Sequence, residues 1–227
     1  MDKRARIIDF HSHLLPAIDD GSKDIAMSLE ILQETRRQKV RKIVATPHFY
    51  PEEMSLSRFL EKRERAVEEV LSVLDSSTCP RVYLGAETGY FRGIGDSDEI
   101  SQLTIVGTNT ILVEMPFRPW SEATVEDIIS LSMQRGLNVV LAHIERYRTF
   151  FSDRTMDRLL SSGIYIQSNA EFFLDKEKEK DAMDMLSSDR IHILGSDVHN
   201  TGQRRQRIGE ARDKIRETLG EETMERI

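Results

Sequence analysis

Short apolar, β-branched runs recur along this chain, separated by polar stretches with helical spacing. The runs are Ile7-Ile8, Ile43-Val44-Ala45, Val82-Tyr83-Leu84, Ile111-Leu112-Val113, Val139-Val140-Leu141, Ile164 to Gln167 and Ile191-His192-Ile193-Leu194. Runs this short, bounded by turn residues, read as buried strands. Between them Ile25, Leu29 and Leu32 stripe one helix, Leu60, Val67, Leu71 and Leu74 a second over roughly 55–75, and Ile208, Ala211, Ile215 and Leu219 the last. Ser22 reads as the N-cap of the first helix and Ser152 as the cap of one reaching Ser162. Thr124-x-x-Asp127 offers a capping-box-like start to a helix ending near Gly136, and Glu177 to Ser187 forms another. Gly89 to Thr110 is less regular, Pro47 is expected to end the second strand in a loop, and the charges of 55–75 read as a solvated face. About seven alternations of strand and helix predict an α/β fold, a parallel barrel or barrel-like sheet wrapped by helices. No repeat or linker interrupts the pattern, so residues 1–227 are expected to form one domain.

What ends these runs points to chemistry. Asp9-Phe10-His11-Ser12-His13 follows the first run, and residues i and i+2 of a strand share a face, so His11 and His13 project together. Five of the six histidines sit at the polar end of a run: His11, His13, His48, His143 and His199. Carboxylates end three runs in the same way, at Glu87, Glu114 and Asp197. A single strand-end His or Glu is usually a hydrogen-bonded surface group. Eight on six strands are another matter, because parallel α/β folds gather strand C-termini on one face, where their active sites lie. Imidazole and carboxylate without thiolate suit Zn, Mn or Fe, and eight donors suit two or three ions with a bridging carboxylate. His192 lies inside a strand pattern and reads as a packing residue.

Composition narrows the field. A net charge of −7 argues against duplex nucleic acid as a partner. The single Cys79 makes no internal disulfide, the first six residues carry no signal-peptide core, and no apolar run approaches the roughly 18 residues of a membrane helix; a reducing cytoplasm is expected. Cys79 has Gly85, not Arg, six positions on, which excludes the cysteine-dependent phosphatase loop. G-x-S-x-G and G-x-x-x-x-G-K-[ST] do not occur, and Gly93-Ile94-Gly95 is only a flexible fragment of a dinucleotide fingerprint.

The motifs Asp9-Phe10-His11-Ser12-His13, Ala45-Thr46-Pro47-His48, Gly85-Ala86-Glu87, Val113-Glu114-Met115-Pro116, His143-Ile144-Glu145-Arg146-Tyr147 and Gly195-Ser196-Asp197-Val198-His199-Asn200 resemble, in order and spacing, the polymerase and histidinol phosphatase (PHP) superfamily. Within it the chain is most similar to the bacterial capsule-type, manganese-dependent protein-tyrosine phosphatases, whose first loop resembles Leu15 to Gly21. The resemblance covers nearly the whole chain. It implies a distorted (β/α)7 TIM-like barrel with three divalent ions, manganese foremost and Fe or Zn as alternatives, held by the same eight residues, with Glu87 bridging two ions. It further implies Arg146 and Arg204 as phosphate holders and Asp20 as a residue lining the site. The implied reaction is attack of metal-activated water on a phosphotyrosine protein, in particular a bacterial tyrosine kinase of capsule or exopolysaccharide synthesis, without a phosphoenzyme. The rivals are a PHP phosphatase for histidinol phosphate or a nucleotide, and a non-catalytic metal-binding module. Glu171, Phe172, Phe173 and Tyr90 depart from the family pattern; the aromatics of 172–173 either stack on a phenol ring or belong to the core, where Phe173 fits better.

Overall fold

A computed structural model of the protein describes residues 7–75 and 77–227; the expectation for residues 1–6 lies outside them. Nine short parallel strands occur among the described residues: β1 (Ile8–Ser12), β2 (Lys42–Ala45), β3 (His48–Phe49), β4 (Arg81–Leu84), β5 (Glu87–Gly89), β6 (Thr110–Glu114), β7 (Asn138–Leu141), β8 (Tyr165–Asn169) and β9 (Ile193–Gly195). They pair in the orders β1-β2-β4 and β3-β5-β6-β7-β8-β9. The two sheets are one ring with two broken members. Chain 42–49 pairs as β2 with β4, then as β3 with β5, and Gly85-Ala86 interrupts the partner at the same level. The amides of Gly85 and Glu87 bond the carbonyls of Ala45 and Pro47 through the break, so the ladder is kinked rather than lost. Pro47 therefore ends β2 as expected, but strand resumes at His48 where a loop was expected, because the missing proline N–H removes only one rung. Counted this way there are seven strands. The ring closes where β9 meets β1: Asp197 N donates to His11 O at 2.8 Å and His13 N to Val198 O at 2.9 Å. The result is a distorted (β/α)7 barrel.

Helices α1 (Ile25–Arg37), α2 (Leu56–Val73), α3 (Glu122–Met133), α4 (Asp153–Ser161), α5 (Glu179–Ser187), α6 (Ile208–Leu219) and α7 (Glu221–Arg226) pack outside. Between β5 and β6 two short 3-10 turns take the place of a helix, matching the irregular reading of 89–110. Caps follow local competition. Ser152 caps α4 as expected, accepting from Thr155 N. Asp24, not Ser22, caps α1, because the Ser22 hydroxyl is engaged with Asp24 O and Ser28. Ser121, not Thr124, caps α3, and Asp127 instead accepts from the Tyr90 hydroxyl and Gly93 N across the interface.

Two stripes are also shifted. In α1 the fully buried face is Ser28, Ile31, Leu32 and Thr35, with Ile25 and Leu29 only half-buried. In α2 Leu71 is exposed, and the inner face is Phe59, Arg63, Ala66, Val67 and Val70. Arg63 thus departs from the expected solvated face. Its Nη1 donates to Gly85 O at 3.1 Å, the carbonyl exposed by the strand break, and its guanidinium lies 5.6 Å from the Phe59 ring. Arg63→Ala is expected to leave that carbonyl unpaired over a cavity, costing about 2–3 kcal/mol, or about 5–10 °C in Tm for a domain of this size. Thermal denaturation checks it.

The strands of the second sheet are buried on both faces, as parallel strands covered by helices must be. Ile111, Val113, Val139 and Leu141 join the helical layer, whereas Leu112 and Val140 meet Ala142, Phe10 and Ile193 in a small plug within the ring. This alternation leaves the C-terminal mouth of the ring to polar side chains.

Candidate metal centre

Six of the seven ring members contribute a candidate ligand to that mouth. His11, His13, His48, Glu87, Glu114, His143, Asp197 and His199, drawn from six places across 189 residues of sequence, converge there. Glu87 is central. Its Oε1 lies 2.8 Å from His143 Nε2, and its Oε2 lies 3.0, 3.1 and 3.2 Å from His48 Nδ1, His11 Nε2 and His13 Nε2. Glu114 reaches His143 Nε2 at 3.5 Å, and Asp197 Oδ1 sits 3.4–3.6 Å from His11, His13 and His199. Three groups of donor atoms are each close enough to share one ion: His13, Asp20, His48 and His199; His11, His13 and Asp197; His48, Glu87 and Glu114; His143 stands outside them, beside Glu87 and Glu114. Asp20 thus stands among potential ligands, its Oδ1 3.2 Å from His199 Nε2 and 3.6 Å from His48 Nε2.

The imidazoles are oriented from behind. His13 Nδ1 meets Asp19 Oδ2 at 2.8 Å, His11 Nδ1 meets Gln167 Oε1 at 3.2 Å, and His199 Nδ1 donates to Asp197 O at 2.9 Å. Each bond turns Nε2 of that ring toward the centre, the arrangement that orients metal-binding histidines. Burial lowers the His199 pKa to about 4, aided by the charge of His13. Burial opposes protonation of His13 and His143 as well, but the carboxylates around them, Asp19, Asp197 and Glu87 for His13 and Glu114 and Glu87 for His143, raise both, and a bound cation would have to displace those protons. Burial by itself would push the Glu87 and Asp197 carboxyls up. The neighbouring His11, with hydrogen bonds from His13, holds both well below the usual carboxylate range. Burial likewise opposes ionisation of Asp19, but the His13 contact and the amides of Gly21 and His48 bring it down to about 2.

Backbone conformation is forced at the same place. His143 and Asp197 adopt φ of 29° and 53°, and Ala17 in the first loop 55°, a region that side chains other than Gly, Asn and Asp rarely occupy. That loop is closed by Ser22 N on His13 O, and a Cβ on Gly21 would lie 2.2 Å from the same His13 oxygen.

These residues fit divalent cations. Glu87 Oε2, Asp197 Oδ1 and His199 Nε2 are buried, face the centre and have no hydrogen-bond partner of acceptable geometry. Unpaired buried acceptors are costly unless a cation meets them, and a mixed imidazole and carboxylate set is suited to Mn, Fe or Zn.

Arg146 and Arg204 border the cluster. Both donate to Asp197 Oδ2, Arg204 at 2.9 Å, and Asn169 Nδ2 joins them at 2.9 Å. Arg204 also lies 3.5 Å from Asp20. The remaining singled-out residues lie elsewhere. His192 packs on Tyr165 and accepts from Ile166 N; Cys79 is buried beneath α1 and α2. Phe172 and Phe173 are both in the core, so the ring-stacking alternative for them falls, because the 3-10 turn after β8 points them under α5 and α6. Glu171 is held by Arg207, and Tyr90 by Asp127.

Sequence reasoning missed Asp19, Gln167, Asn169 and Tyr50, all of which act on the cluster from behind. Asp19 had a signal in its acidic neighbour Asp20, and Tyr50 in its i+2 spacing from His48. Gln167 ends the sixth run just as the ligands end theirs, but as a neutral amide it carries no metal signature. Its Oε1 also accepts from His143 N at 2.8 Å, joining two histidines. Gln167→Leu is expected to weaken metal affinity about 10–100-fold, read by titrating the metal-stripped protein with manganese.

The chain was compared with known proteins. Residues 7–227 match the family described as capsular polysaccharide synthesis, CpsB/CapC. Tyrosine-protein phosphatase CpsB of Streptococcus pneumoniae is 31% identical over 94% of this chain and 91% of its own length. A solved structure from work on YwqE of Bacillus subtilis and CpsB of S. pneumoniae, described as unique metal-dependent tyrosine phosphatases, superposes with a TM-score of 0.81 at 24% identity, covering 96% of this chain and 90% of that one. Histidinol phosphate phosphatase of Lactococcus lactis, solved with zinc, L-histidinol and phosphate, shares the fold at a TM-score of 0.60 and 16% identity, with 93% of each chain covered. The match across nearly the full sequence places this chain in the CpsB/CapC family of capsular polysaccharide synthesis.

Proposed function

We infer that this chain is a metal-dependent phosphomonoester hydrolase of the protein-tyrosine-phosphatase type, with residues 1–227 acting as one unit. The observation that carries this reading is the convergence of eight imidazole and carboxylate side chains on one mouth with two arginines at its edge; kinship with proteins named tyrosine-protein phosphatase supports it. His11, His13, His48, Glu87, Glu114, His143, Asp197 and His199 would hold up to three ions, manganese foremost, with Glu87 between two of them. When bound, such ions lower the pKa of a coordinated water toward neutrality and neutralise charge on the phosphoryl oxygens.

The chain's own residues supply the rest. Arg146 and Arg204 grip non-bridging oxygens, matching a phosphate's planar edges as lysines do not. Asp197 accepts from both guanidiniums and so fixes their spacing. Asp20, exposed at the mouth beside His48 and His199, is placed to hand a proton to the departing oxygen. That assistance is modest for a phenol, whose pKa is about 10. The family's link to capsule synthesis makes a phosphotyrosine protein, in particular a bacterial tyrosine kinase, the proposed substrate, in the cytoplasm. No helix among the described residues is long and apolar enough to cross a membrane.

The test is a substrate panel with purified protein, with and without added manganese. A phosphotyrosine peptide is expected to turn over faster than histidinol phosphate or a nucleoside monophosphate, and only with metal. Preference for either small molecule would move the assignment within the superfamily. Inactivity of metal-loaded protein on the whole panel would leave a binding module.

A further inference from the structure

Asp19, Asp20 and His48 face more than the ligand cluster. On their other side they border a cavity of about 410 Å³, completed by Ile18, Phe49, Tyr50, Glu53, Met54 and Phe59. Its lining is mostly apolar, with Ile18, Tyr50 and Met54 only half-buried and Phe49 and Phe59 forming the floor. The position in the ring matters. Arg146 follows β7 and Arg204 follows β9, so the two flank β8, and the cavity, built on the segments after β1 and β3, lies beyond Arg204 in ring order, with Arg204 3.5 Å from the cavity's Asp20. A phosphoryl group held by Arg204 at the edge of the cluster has Asp20 beside it, and an ester oxygen that takes its proton from Asp20 would carry its organic group to the rim of this cavity.

We propose that the cavity receives the aromatic ring of the substrate ester, with Ile18, Tyr50 and Met54 selecting aryl over alkyl phosphates. This rests on the phosphatase reading above. One wall is rigid: the Tyr50 ring stacks on His48 with centroids 5.1 Å apart at 24°, and its hydroxyl donates to Glu114 Oε2 at 2.5 Å. Gly89 makes room for that ring, since a Cβ there would approach Tyr50 Cδ1 to 2.3 Å. The opposite wall is adaptable, because Met54 brings an unbranched thioether that packs well on aromatic faces. A phenyl group entering here leaves water and meets apolar surface on several sides; a methyl group gains little of this. Phe117 is the competing surface. It is 58% exposed and packs on Tyr147, 5.1 Å between ring centroids, on the Arg146 side of the mouth.

Calorimetric titration of the manganese-loaded protein with phenylphosphonate and methylphosphonate tests this without requiring turnover. The wild type is expected to bind phenylphosphonate more tightly. Met54→Ala and Ile18→Ala are each expected to cut that preference about tenfold with methylphosphonate affinity unchanged, while Phe117→Ala leaves both constants unaltered. Equal affinity for the two phosphonates, no binding of either, a preference surviving in both cavity variants, or a preference lost in Phe117→Ala would overturn the proposal. Hydrolysis of a phosphotyrosine peptide, measured on the same samples, separates the two readings. Selective binding without hydrolysis sinks the phosphatase and keeps the cavity; hydrolysis with no ring preference does the reverse.

Discussion

Glu87→Gln is expected to lower kcat about 10³-fold, equivalent to about 4 kcal/mol of transition-state stabilisation, and to reduce the bound metal by at least one equivalent. The side chain keeps its shape, so the change isolates charge and acceptor capacity. Four imidazoles lie within 3.2 Å of the two carboxylate oxygens. An amide offers them one oxygen and one NH2 group, and the NH2 group has no lone pair for a cation. Elemental analysis beside steady-state kinetics checks both halves. Full metal content with wild-type kcat would remove Glu87 from the centre.

Arg146→Lys is expected to lower kcat/KM about 10²-fold, chiefly through KM if the guanidinium grips ground state and transition state alike. Lysine retains the charge but not the fork that reaches two oxygens at once. Arg204→Lys is expected to act in the same direction more weakly, since Arg204 is the more exposed of the pair and already shares itself with Asp20. Because both donate to the same oxygen of Asp197, the double variant is expected to fall short of the product of the single effects. Unchanged kcat/KM in both single variants would mean that neither holds phosphate. The readout is initial rates over a range of phosphotyrosine peptide concentrations.

The ring and its mouth are legible in the sequence for one physical reason. Parallel strands buried on both faces must be short continuous apolar runs, and whatever ends them lies on a shared rim, so His48, Glu87 and His143 announce themselves by position as well as by chemistry. The strand breaks are legible only in part. Pro47 is visible, but the resumption of pairing at His48 depends on Gly85-Ala86 yielding at the same level, which is a relation between two segments. Arg63 is hidden for the same reason: on a helix rich in Glu, Lys and Arg, nothing local separates the one cation that turns inward to a broken strand. Periodicity places α2 well yet misjudges its rotation, leaving Leu71 outside, since leucines at helical spacing occur on both sides of the buried stripe. Gln167, Asn169 and Tyr50 act through hydrogen bonds to side chains distant in sequence, and no pattern of residue types encodes those pairings.

The closure of the ring at β9 and β1 sets an order of events during synthesis. His11 and His13 emerge first, yet the partners that fix their backbone, Asp197 and Val198, are translated nearly two hundred codons later. Until then a growing polypeptide carries His11 and His13 at the end of a strand paired on one side only. Cation capture in the finished geometry therefore waits for the ninth strand, and a ribosome stalled before it displays a sheet that has yet to meet itself.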